Sequence, residues 1–422
     1  MSPKTISLLI FITAYLLFIF LPNKRTHIAV IGAALLILAR VLTLKEAFLS
    51  INWNVMGIFV GTLIVADIFM ESRVPAYIAE LIVNRAKNTA WSILFICLLT
   101  GFISAFVENV ATVLIVAPIA LSLAKKLKIS PVNMMIAIAI SSNLQGTSTL
   151  IGDPPSMLLG GFAKMNFMDF FFYKGRLSIF FAVELGALVS FAVLYFIFRP
   201  HKEKVQLLPV EKVKSWVPTI ILVSLIILLA CASCLDTGFS YLAGVICMSF
   251  GIIAIVWEKF VNRGSIIEGI RSLDWETTFF LAGIFVLVGS ISATGWIEVI
   301  ANSLSGLIGS NIFLGYTLLV FISVFLSAFI DNVPFLAAML PVAISLSDKL
   351  QVNPALFLFG LLIGASLGGN ITPIGASANI IACGLLKKEG YEVKFKDFMK
   401  IGLPFTLAAV GAAYLFVWFV WK

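Results

Sequence analysis

The chain of 422 residues is 61% hydrophobic and 12% charged, with a net charge of +8 and a mean hydropathy of +1.08. Soluble domains carry about 25% charged residues, so this composition excludes an ordinary soluble protein. Apolar runs of about 17–22 residues recur along the whole chain, long enough to cross a bilayer as helices and far longer than membrane-barrel strands. The sequence therefore predicts an all-α polytopic membrane protein.

The N-terminal segment begins with an apolar stretch from Ile6 to Leu21. This stretch is long for the core of a signal peptide, and no small-residue cleavage site follows it. We therefore interpret it as the first of about ten transmembrane spans. The predicted spans are 6–21, 28–43, 52–71, 131–162, 177–198, 217–235, 239–257, 274–292, 354–386 and 401–420.

Two further apolar segments, 91–124 and 311–348, do not fit the pattern of simple spans. Each is interrupted near its centre, by "SAFVENV" at 104–110 and by "SAFIDNV" at 327–333. The interruptions leave limbs of roughly 14–18 residues, which are marginal as full spans. We predict that both segments are helical hairpins that enter the membrane and leave on the same side. The acid–asparagine pairs at their tips are Glu108–Asn109 and Asp331–Asn332.

The segments 131–162 and 354–386 are too long for one straight span, at about 48 Å against a hydrocarbon core of about 30 Å. Glycine, serine, threonine and proline interrupt each of them, in "SSNLQGTSTLIGDPPS" and "SLGGNITPIGASAN". Each segment is therefore predicted to be a broken helix that restarts after Asp153 or Thr372, the candidate N-caps. Unwound carbonyls with hydroxyl and amide groups suit a hard cation such as sodium, and a new helix N-terminus favours an anionic or polar group.

An internal repeat relates the two halves of the chain. "NWNVMGIFVG" at 52–61 parallels "DWETTFFLAG" at 274–283, and "GTSTLIG" at 146–152 parallels "GNITPIG" at 369–375. The hairpin motifs match at the same offset of 222 or 223 residues, which indicates a duplication. We divide the chain accordingly. The first repeat is 1–198, the basic linker is 199–216, and the second repeat is 217–422.

The basic residues are divided unequally between the two sides of this layout. With the hairpins counted as re-entrant, 21 of the 29 lysines and arginines lie on one side, predicted to be cytoplasmic. Both termini are then outside an inner (plasma) membrane, the linker is cytoplasmic, and the repeats are inverted. Counting each hairpin as two full spans would leave these sides unchanged. The positive charge reflects topology and anionic lipids, so no nucleic-acid partner is expected.

The buried acids are the strongest functional candidates, because an intramembrane carboxylate is costly unless it is paired, protonated or bound to a cation. We predict that Glu108 and Asp331 hold sodium when ionised and a proton when not. Asn109 and Asn332 offer a donor and an acceptor to sodium or substrate, or cap the second limb of each hairpin. The other predicted binding residues are Asn143, Gly146, Thr147, Ser148, Thr149, Gly152, Asp153, Gly369, Asn370, Thr372, Gly375, Ser377 and Asn379. Glu184, inside a span, is expected to pair with a neighbouring helix.

Enzymatic activity is not expected from this sequence. Its two histidines, His27 and His201, lie in basic loops, and it contains no zinc signature, serine-nucleophile motif or phosphate-binding loop. No cofactor is predicted beyond a coupling ion, sodium or a proton. Inverted repeats with broken helices are typical of secondary carriers, and an ion channel is the rival interpretation.

Four motifs resemble the ion transporter superfamily, and most closely its arsenite permease and P protein branch, which is related to the divalent anion/sodium symporters. They are "ENVATVLIVAP", "IGDPPS", "SAFIDNVPFLAAMLP" and "GASLGGNITPIGASANIIACG". The resemblance covers essentially the whole chain. It implies two re-entrant hairpins, two broken helices, a scaffold half, a moving half, homodimers and elevator-type alternating access.

The hairpin tips depart from the symporter branch of that superfamily, where they read Ser-Asn-Thr. Here they read Glu108-Asn109-Val110 and Asp331-Asn332-Val333. Two acids would repel a dianion, so a cation, a neutral species such as arsenous acid, or a monoanion accompanied by cations fits better. We therefore expect a secondary transporter for a small ion or anion, of the arsenite or antimonite type or another inorganic or organic anion, coupled to protons or sodium. A sodium/proton antiporter is the alternative.

Overall fold

A computed structural model describes residues 1–127, 129–203, 211–236, 238–261, 271, 273–309 and 311–422. Nearly all of the regular structure in these ranges is α-helical, apart from a two-stranded hairpin formed by β1 (Phe172–Tyr173) and β2 (Arg176–Leu177). The prediction of an all-α protein is confirmed. Residues 204–210 of the predicted basic linker lie outside the described residues.

The helices fall into two series, one before and one after the linker. Those before it are α1 (Pro3–Phe20), α2 (Arg25–Leu38), α3 (Leu44–Ser50), α4 (Trp53–Glu71), α5 (Val74–Arg85), α6 (Thr89–Ser104), α7 (Asn109–Leu127), α8 (Val132–Gly146), α9 (Pro154–Ala163) and α10 (Ile179–Phe198). Those described after it are α11 (Val217–Ala232), α12 (Leu242–Val261), α13 (Trp275–Ala293), α14 (Trp296–Ile308), α15 (Ile312–Ser327), α16 (Asn332–Leu350), α17 (Pro354–Gly368), α18 (Ser377–Lys388) and α19 (Phe395–Trp421).

Nine helices in the described ranges are long and apolar enough to cross a membrane, which establishes a multi-pass protein. They are α1, α4, α7, α10, α12, α13, α16, α17 with the turn after it, and α19. The second limbs of the two predicted hairpins, α7 and α16, are 19 residues each, longer than the sequence indicated. Each helix begins directly after its tip acid and is long enough to cross the membrane as a full span. Re-entrance therefore remains a prediction.

Both segments predicted to be broken helices are interrupted where the sequence indicated. The first stops at Gly146 and restarts at Pro154, and the Asp153 side chain accepts the Ser156 backbone N–H at 3.0 Å, as expected of an N-cap. The prediction that Thr372 caps the second restart is wrong. The helix restarts only after Ala376, which makes no side-chain cap, because the Thr372 hydroxyl donates to the Ala328 carbonyl instead.

The two series of helices pack against each other reciprocally. Helix α4 of the first lies along α12 of the second, and α13 of the second lies along α2 of the first. Glycines permit the closest of these contacts, since a Cβ on Gly61 would lie 2.2 Å from the backbone of Cys247. The centre of the molecule is formed by the broken helices, where every residue from Ala355 to Gly368 is buried.

Candidate functional site

The turn between α6 and α7 carries the first acid–asparagine pair. The Glu108 carboxylate accepts the backbone N–H of Ala111 at 3.0 Å and so caps α7. The Asn109 side-chain oxygen does not cap the helix but accepts a hydrogen bond from the Ser104 hydroxyl at 2.6 Å. Both members of the pair are half-buried at the end of the turn. The acid, and not the asparagine, therefore starts the second limb.

The first broken helix lies directly against this turn. A Cβ on Gly146 would lie 2.1 Å from Oδ1 of Asn109, and one on Gly152 would lie 2.3 Å from the Gly146 carbonyl oxygen. The Thr149 hydroxyl donates to the Ala105 carbonyl, which ties the unwound segment to the end of α6. Four predicted residues are thus brought together, and glycine is needed at 146 and 152 because there is no room for a side chain.

Three serines that were not among the predicted site residues also contact the first turn and the first break. The Ser142 hydroxyl donates to the Ser104 hydroxyl at 2.9 Å and to the Asn109 carbonyl at 3.2 Å. The Ser156 hydroxyl donates to the carbonyls of Gly146 and Thr147, at 3.4 and 3.2 Å. One signal could have revealed Ser104, because the repeat offset of 223 places Ser327 at the matching position of the second half.

Two predicted residues of the first break form hydrogen bonds with carbonyls at the end of α8. The Thr147 hydroxyl donates to the Asn143 carbonyl at 3.2 Å, and the Ser148 hydroxyl donates to the Gln145 carbonyl at 2.7 Å. Both hydroxyls satisfy carbonyls that the helix leaves open where it ends. Their hydrogen-bonding capacity as donors is therefore used within the chain.

The second acid–asparagine pair lies at the turn between α15 and α16, and its surroundings parallel those of the first. One Asp331 oxygen accepts the Val333 backbone N–H at 3.0 Å and caps α16. A Cβ on Gly375 would lie 2.5 Å from the Gly369 carbonyl oxygen and 3.0 Å from that of Ala328. The second unwound segment is thus laid against its turn by the same type of close contact.

Three buried asparagines join the two broken helices at the centre of the molecule. The Asn143 amide donates to the side-chain oxygens of Asn370 and Asn379, at 2.9 and 2.8 Å. Asn379 in turn donates to the carbonyls of Gly369 and Thr372, both at 2.9 Å. The asparagine cluster of Asn143, Asn370 and Asn379 therefore connects α8 to the second break, and these predicted residues hold the site together.

Two predicted residues keep their polar side chains unoccupied. Asn332 and Ser377 are half-buried, and neither side chain hydrogen-bonds to any residue that the structure describes. Asn109, the counterpart of Asn332, is hydrogen-bonded to Ser104 and lies against the first break. The second half of the site therefore offers more free hydrogen-bonding capacity to a ligand than the first.

The two turns also differ in charge. Asp153 and Asp274 lie near enough to Glu108 to act on it electrostatically, so the acid of the first turn has two further carboxyl groups within electrostatic range. At the second turn Asp331 forms an ion pair with Arg25, the first residue of α2. From the sequence alone, Arg25 is only one of the 29 basic residues that determine topology. The described residues include no cluster of three or more His, Cys, Asp or Glu side chains that could hold a metal ion.

Glu184 lies outside both turns but is connected to the first. Its carboxylate accepts a hydrogen bond from the Gln145 amide at 3.2 Å, one residue before the first break. The expectation that it pairs with a neighbouring helix is confirmed, since it lies on α10 and Gln145 lies on α8.

Comparison with known proteins identifies relatives along the full length. A family model described as "Citrate transporter" matches residues 15–364 and 316–422. An uncharacterized transporter of Mycobacterium tuberculosis is 27% identical over 98% of this chain and 98% of its own length. The P protein of Homo sapiens is 27% identical over 98% of this chain and 60% of its own length.

Two solved transporters share the fold at low sequence identity. The YdaH transporter of Alcanivorax borkumensis superimposes with a TM-score of 0.59 at 15% identity, over 86% of this chain and 85% of its own. MtrF of Neisseria gonorrhoeae, from a class of antimetabolite efflux pumps, gives a TM-score of 0.56 at 14% identity, over 100% of this chain and 95% of its own. Both likenesses concern the architecture alone.

Proposed function

The chain belongs to the citrate transporter family of membrane transporters, and from that premise we propose a secondary active carrier that moves a small ion or anion by alternating access. The observation that supports this most strongly is the placement of two unwound helix segments, each against a turn that ends in an acid and an asparagine. Carriers bind substrate and coupling ion at such discontinuities. Protons or sodium supply the gradient in this proposal.

Glu108 is the proposed coupling carboxylate. Asp153 and Asp274 add negative charge around it, which favours a bound cation or proton there. Helix capping by Glu108 uses one carboxylate oxygen and leaves the other for the ion. A cation at this position would complete its shell with nearby carbonyl and amide oxygens, the ligands that sodium accepts. Exchange between proton and cation would then change the charge of the turn.

The moving unit in this proposal consists of the two hairpins and the two broken helices. The asparagine cluster supports their movement as one body, because it joins α8 to the second break through buried hydrogen bonds. Helices α2, α4, α12 and α13 would form the scaffold, with glycine contacts that favour a fixed interface. We further propose inverted repeats, a homodimer, elevator-type movement, an inner-membrane location and both termini outside.

The proposed substrates are arsenite or antimonite and other small inorganic or organic anions. The family model is described as a citrate transporter, whereas the name of the P protein specifies no cargo, so names alone leave the choice of substrate open. The charge of the site restricts the choice of substrate. Glu108, with Asp153 and Asp274 within electrostatic range, would repel a dianion, so a neutral species or a monoanion that travels with a cation fits better.

Sodium/proton exchange is the second candidate function. The two acids that act electrostatically on Glu108 favour it, because two cations can compete for one acidic site without any anion. Both functions need the same acid. They differ in whether a solute besides the two cations crosses the membrane.

The test uses purified protein in liposomes loaded with a pH dye, with the membrane potential clamped. An external pulse of sodium should change the internal pH if the protein exchanges the two cations, and Glu108→Gln should abolish the change. If wild type gives no change, uptake of arsenite, acetate and citrate is measured under imposed sodium and proton gradients. Gradient-independent unitary currents in planar bilayers would contradict a carrier and indicate a channel.

A further inference from the structure

The two halves of the site carry opposite charge patterns at positions that the repeat aligns. The acids Asp153 and Asp274, which act on Glu108, correspond to Ala376 and Asn52 in the other half. The second turn therefore lacks both of the extra carboxylates. It has instead the guanidinium of Arg25, an always-charged group that has no aligned basic partner near Glu108. The two turns thus occupy matching positions in the repeat but differ in the charge of the side chains around them.

Arg25 is held in place but is not saturated. Its guanidinium donates to Asp331 and lies 5.0 Å from the centre of the Phe280 ring, which fixes one face of the group. Asp331 is its one hydrogen-bond partner among the residues that the structure describes. A guanidinium can donate five hydrogen bonds, so most of its capacity remains open.

The ion pair is partly exposed at the surface of the protein. The side chains of Arg25 and Asp331 keep 27% and 26% of their surface exposed. Beside them is the free amide of Asn332, which offers a further donor. An arginine with unused donors next to a free amide is a suitable arrangement for a carboxylate or small oxyanion, because the planar fork matches two oxygens of the ligand.

We propose that Arg25 recognises the anionic group of the transported solute, a carboxylate or small oxyanion, and that Asp331 occupies the guanidinium until the solute arrives. This inference rests on the proposed function and specifies the ligand of its second half. The hairpin acids are then not equivalent. Glu108 holds the coupling cation or proton, whereas Asp331 is an internal substitute for the anion.

Displacement of Asp331 has a consequence for the hairpin. Two polar contacts tie the second turn to the start of the chain, the ion pair with Arg25 and the bond from the Tyr15 hydroxyl to the Pro334 carbonyl at 2.8 Å. An anion that takes over the guanidinium removes the first of them. Binding of solute thereby loosens the turn from α2, which links recognition to movement.

The experiment measures how fast a cysteine introduced at the second turn reacts with a maleimide. The reporter is Asn332→Cys in protein whose accessible cysteines Cys231, Cys234 and Cys383 are replaced by serine, purified in detergent. The rate of reaction with a charged maleimide is followed as sodium chloride is replaced by sodium acetate or sodium citrate at constant sodium. The melting temperature of the protein with native Asn332 is measured under the same conditions, so that the result does not depend on the reporter.

We expect acetate or citrate to raise the labelling rate and the melting temperature of the wild-type background. Arg25→Gln should abolish both responses at the anion concentrations that saturate the wild type. The affinity of this variant for the anion should be at least about tenfold weaker, the loss expected for charge-assisted hydrogen bonds. Arg25→Lys should retain a weaker response. Lys24→Gln is the matched control, because it removes one exposed positive charge from the adjacent position, and it should respond as wild type does.

Three outcomes would overturn the inference. They are the absence of any response to acetate and citrate, an unchanged response in Arg25→Gln, and an equal loss in Lys24→Gln. A lipid headgroup is the other source of the same chemistry. Stabilisation by phosphatidylglycerol in bilayer discs, with no effect of soluble anions in discs of phosphatidylcholine, would also contradict solute recognition. Normal coupled transport by Glu108→Gln would contradict the proposed function but not this inference.

Discussion

At the scale of single residues, Glu108 has two tasks that one substitution can separate. Glutamine keeps an oxygen that accepts the Ala111 N–H, so the cap of α7 should persist, but it cannot bind or release a proton. We expect Glu108→Gln to lower coupled transport by about two orders of magnitude or more, with unchanged expression and melting temperature. Glu389→Gln, at an exposed acid, is the control. Wild-type transport rates in liposomes for Glu108→Gln would exclude it as the coupling residue.

Asp331 gives a different expectation. Asp331→Asn keeps the cap oxygen but breaks the ion pair with Arg25. We expect coupled transport to be lost here too, because the guanidinium is left uncompensated and the ion pair that anion binding would break is already absent. The distinguishing measurement is the response of the double variant Asp331→Asn with Arg25→Gln to acetate, in which the cap should remain and the anion response should be absent.

Gly146 is a position where geometry alone determines the residue. A methyl group there would overlap the Asn109 side-chain oxygen, so Gly146→Ala must displace the asparagine or separate α8 from the turn. We expect a cost of about 1–3 kcal/mol in the free energy of unfolding and a loss of transport. Gly384→Ala is the control, because a Cβ at 384 has no neighbour within 4 Å. Thermal unfolding and uptake into liposomes are measured for both variants, and equal values for the two would contradict the prediction.

The predictability of single residues depended on the kind of signal they give. Glu108 and Asp331 were found because a carboxylate in an apolar run is costly, and Asp153 because a helix restart needs a cap. Arg25 was missed because a basic residue at the end of a span has an ordinary role in topology. Its pairing with Asp331 joins positions 306 apart in the chain, and nothing local in the sequence specifies that contact.

At the scale of elements, the interface of α4 with α12 depends on glycine. Gly61 meets the backbone of Cys247, which cannot shift as a flexible side chain can. We expect Gly61→Ala to lower the melting temperature, since the two helices must separate along their length. Gly411→Ala should be neutral or slightly stabilising, because the site is open and alanine favours helix. Equal melting temperatures would show that the interface adapts.

Helix limits were predictable where composition changes and less so where tertiary contacts decide them. The breaks at Gly146 and near Gly369 follow from glycine and proline in otherwise apolar segments. The restart of α18 was placed too early, because the Thr372 hydroxyl donates to the carbonyl of Ala328, the residue that follows α15. The limbs α7 and α16 are longer than expected, because each begins directly after its tip acid and continues beyond the predicted end, to Leu127 and Leu350.

At the scale of the whole molecule, the reciprocal packing of the two helix series agrees with a duplicated chain. The side of the membrane on which each half begins is a separate question, because packing is the same for either orientation. It depends on the distribution of lysine and arginine, from which we predict that residues 199–216 are inside and both termini are outside. Only an even number of crossings between the two termini satisfies that arrangement.

Accessibility in intact cells tests this orientation. Single cysteines introduced by Ser2→Cys, Lys202→Cys and Lys422→Cys are exposed to a membrane-impermeant maleimide before and after permeabilisation. We expect positions 2 and 422 to react in intact cells and position 202 only after permeabilisation, because the basic linker stays with the cytoplasmic charge. Termini on opposite sides would require an odd number of spans. The repeats could then not have the inverted relation that places both unwound segments at one depth, and the carrier proposal would lose its geometric basis.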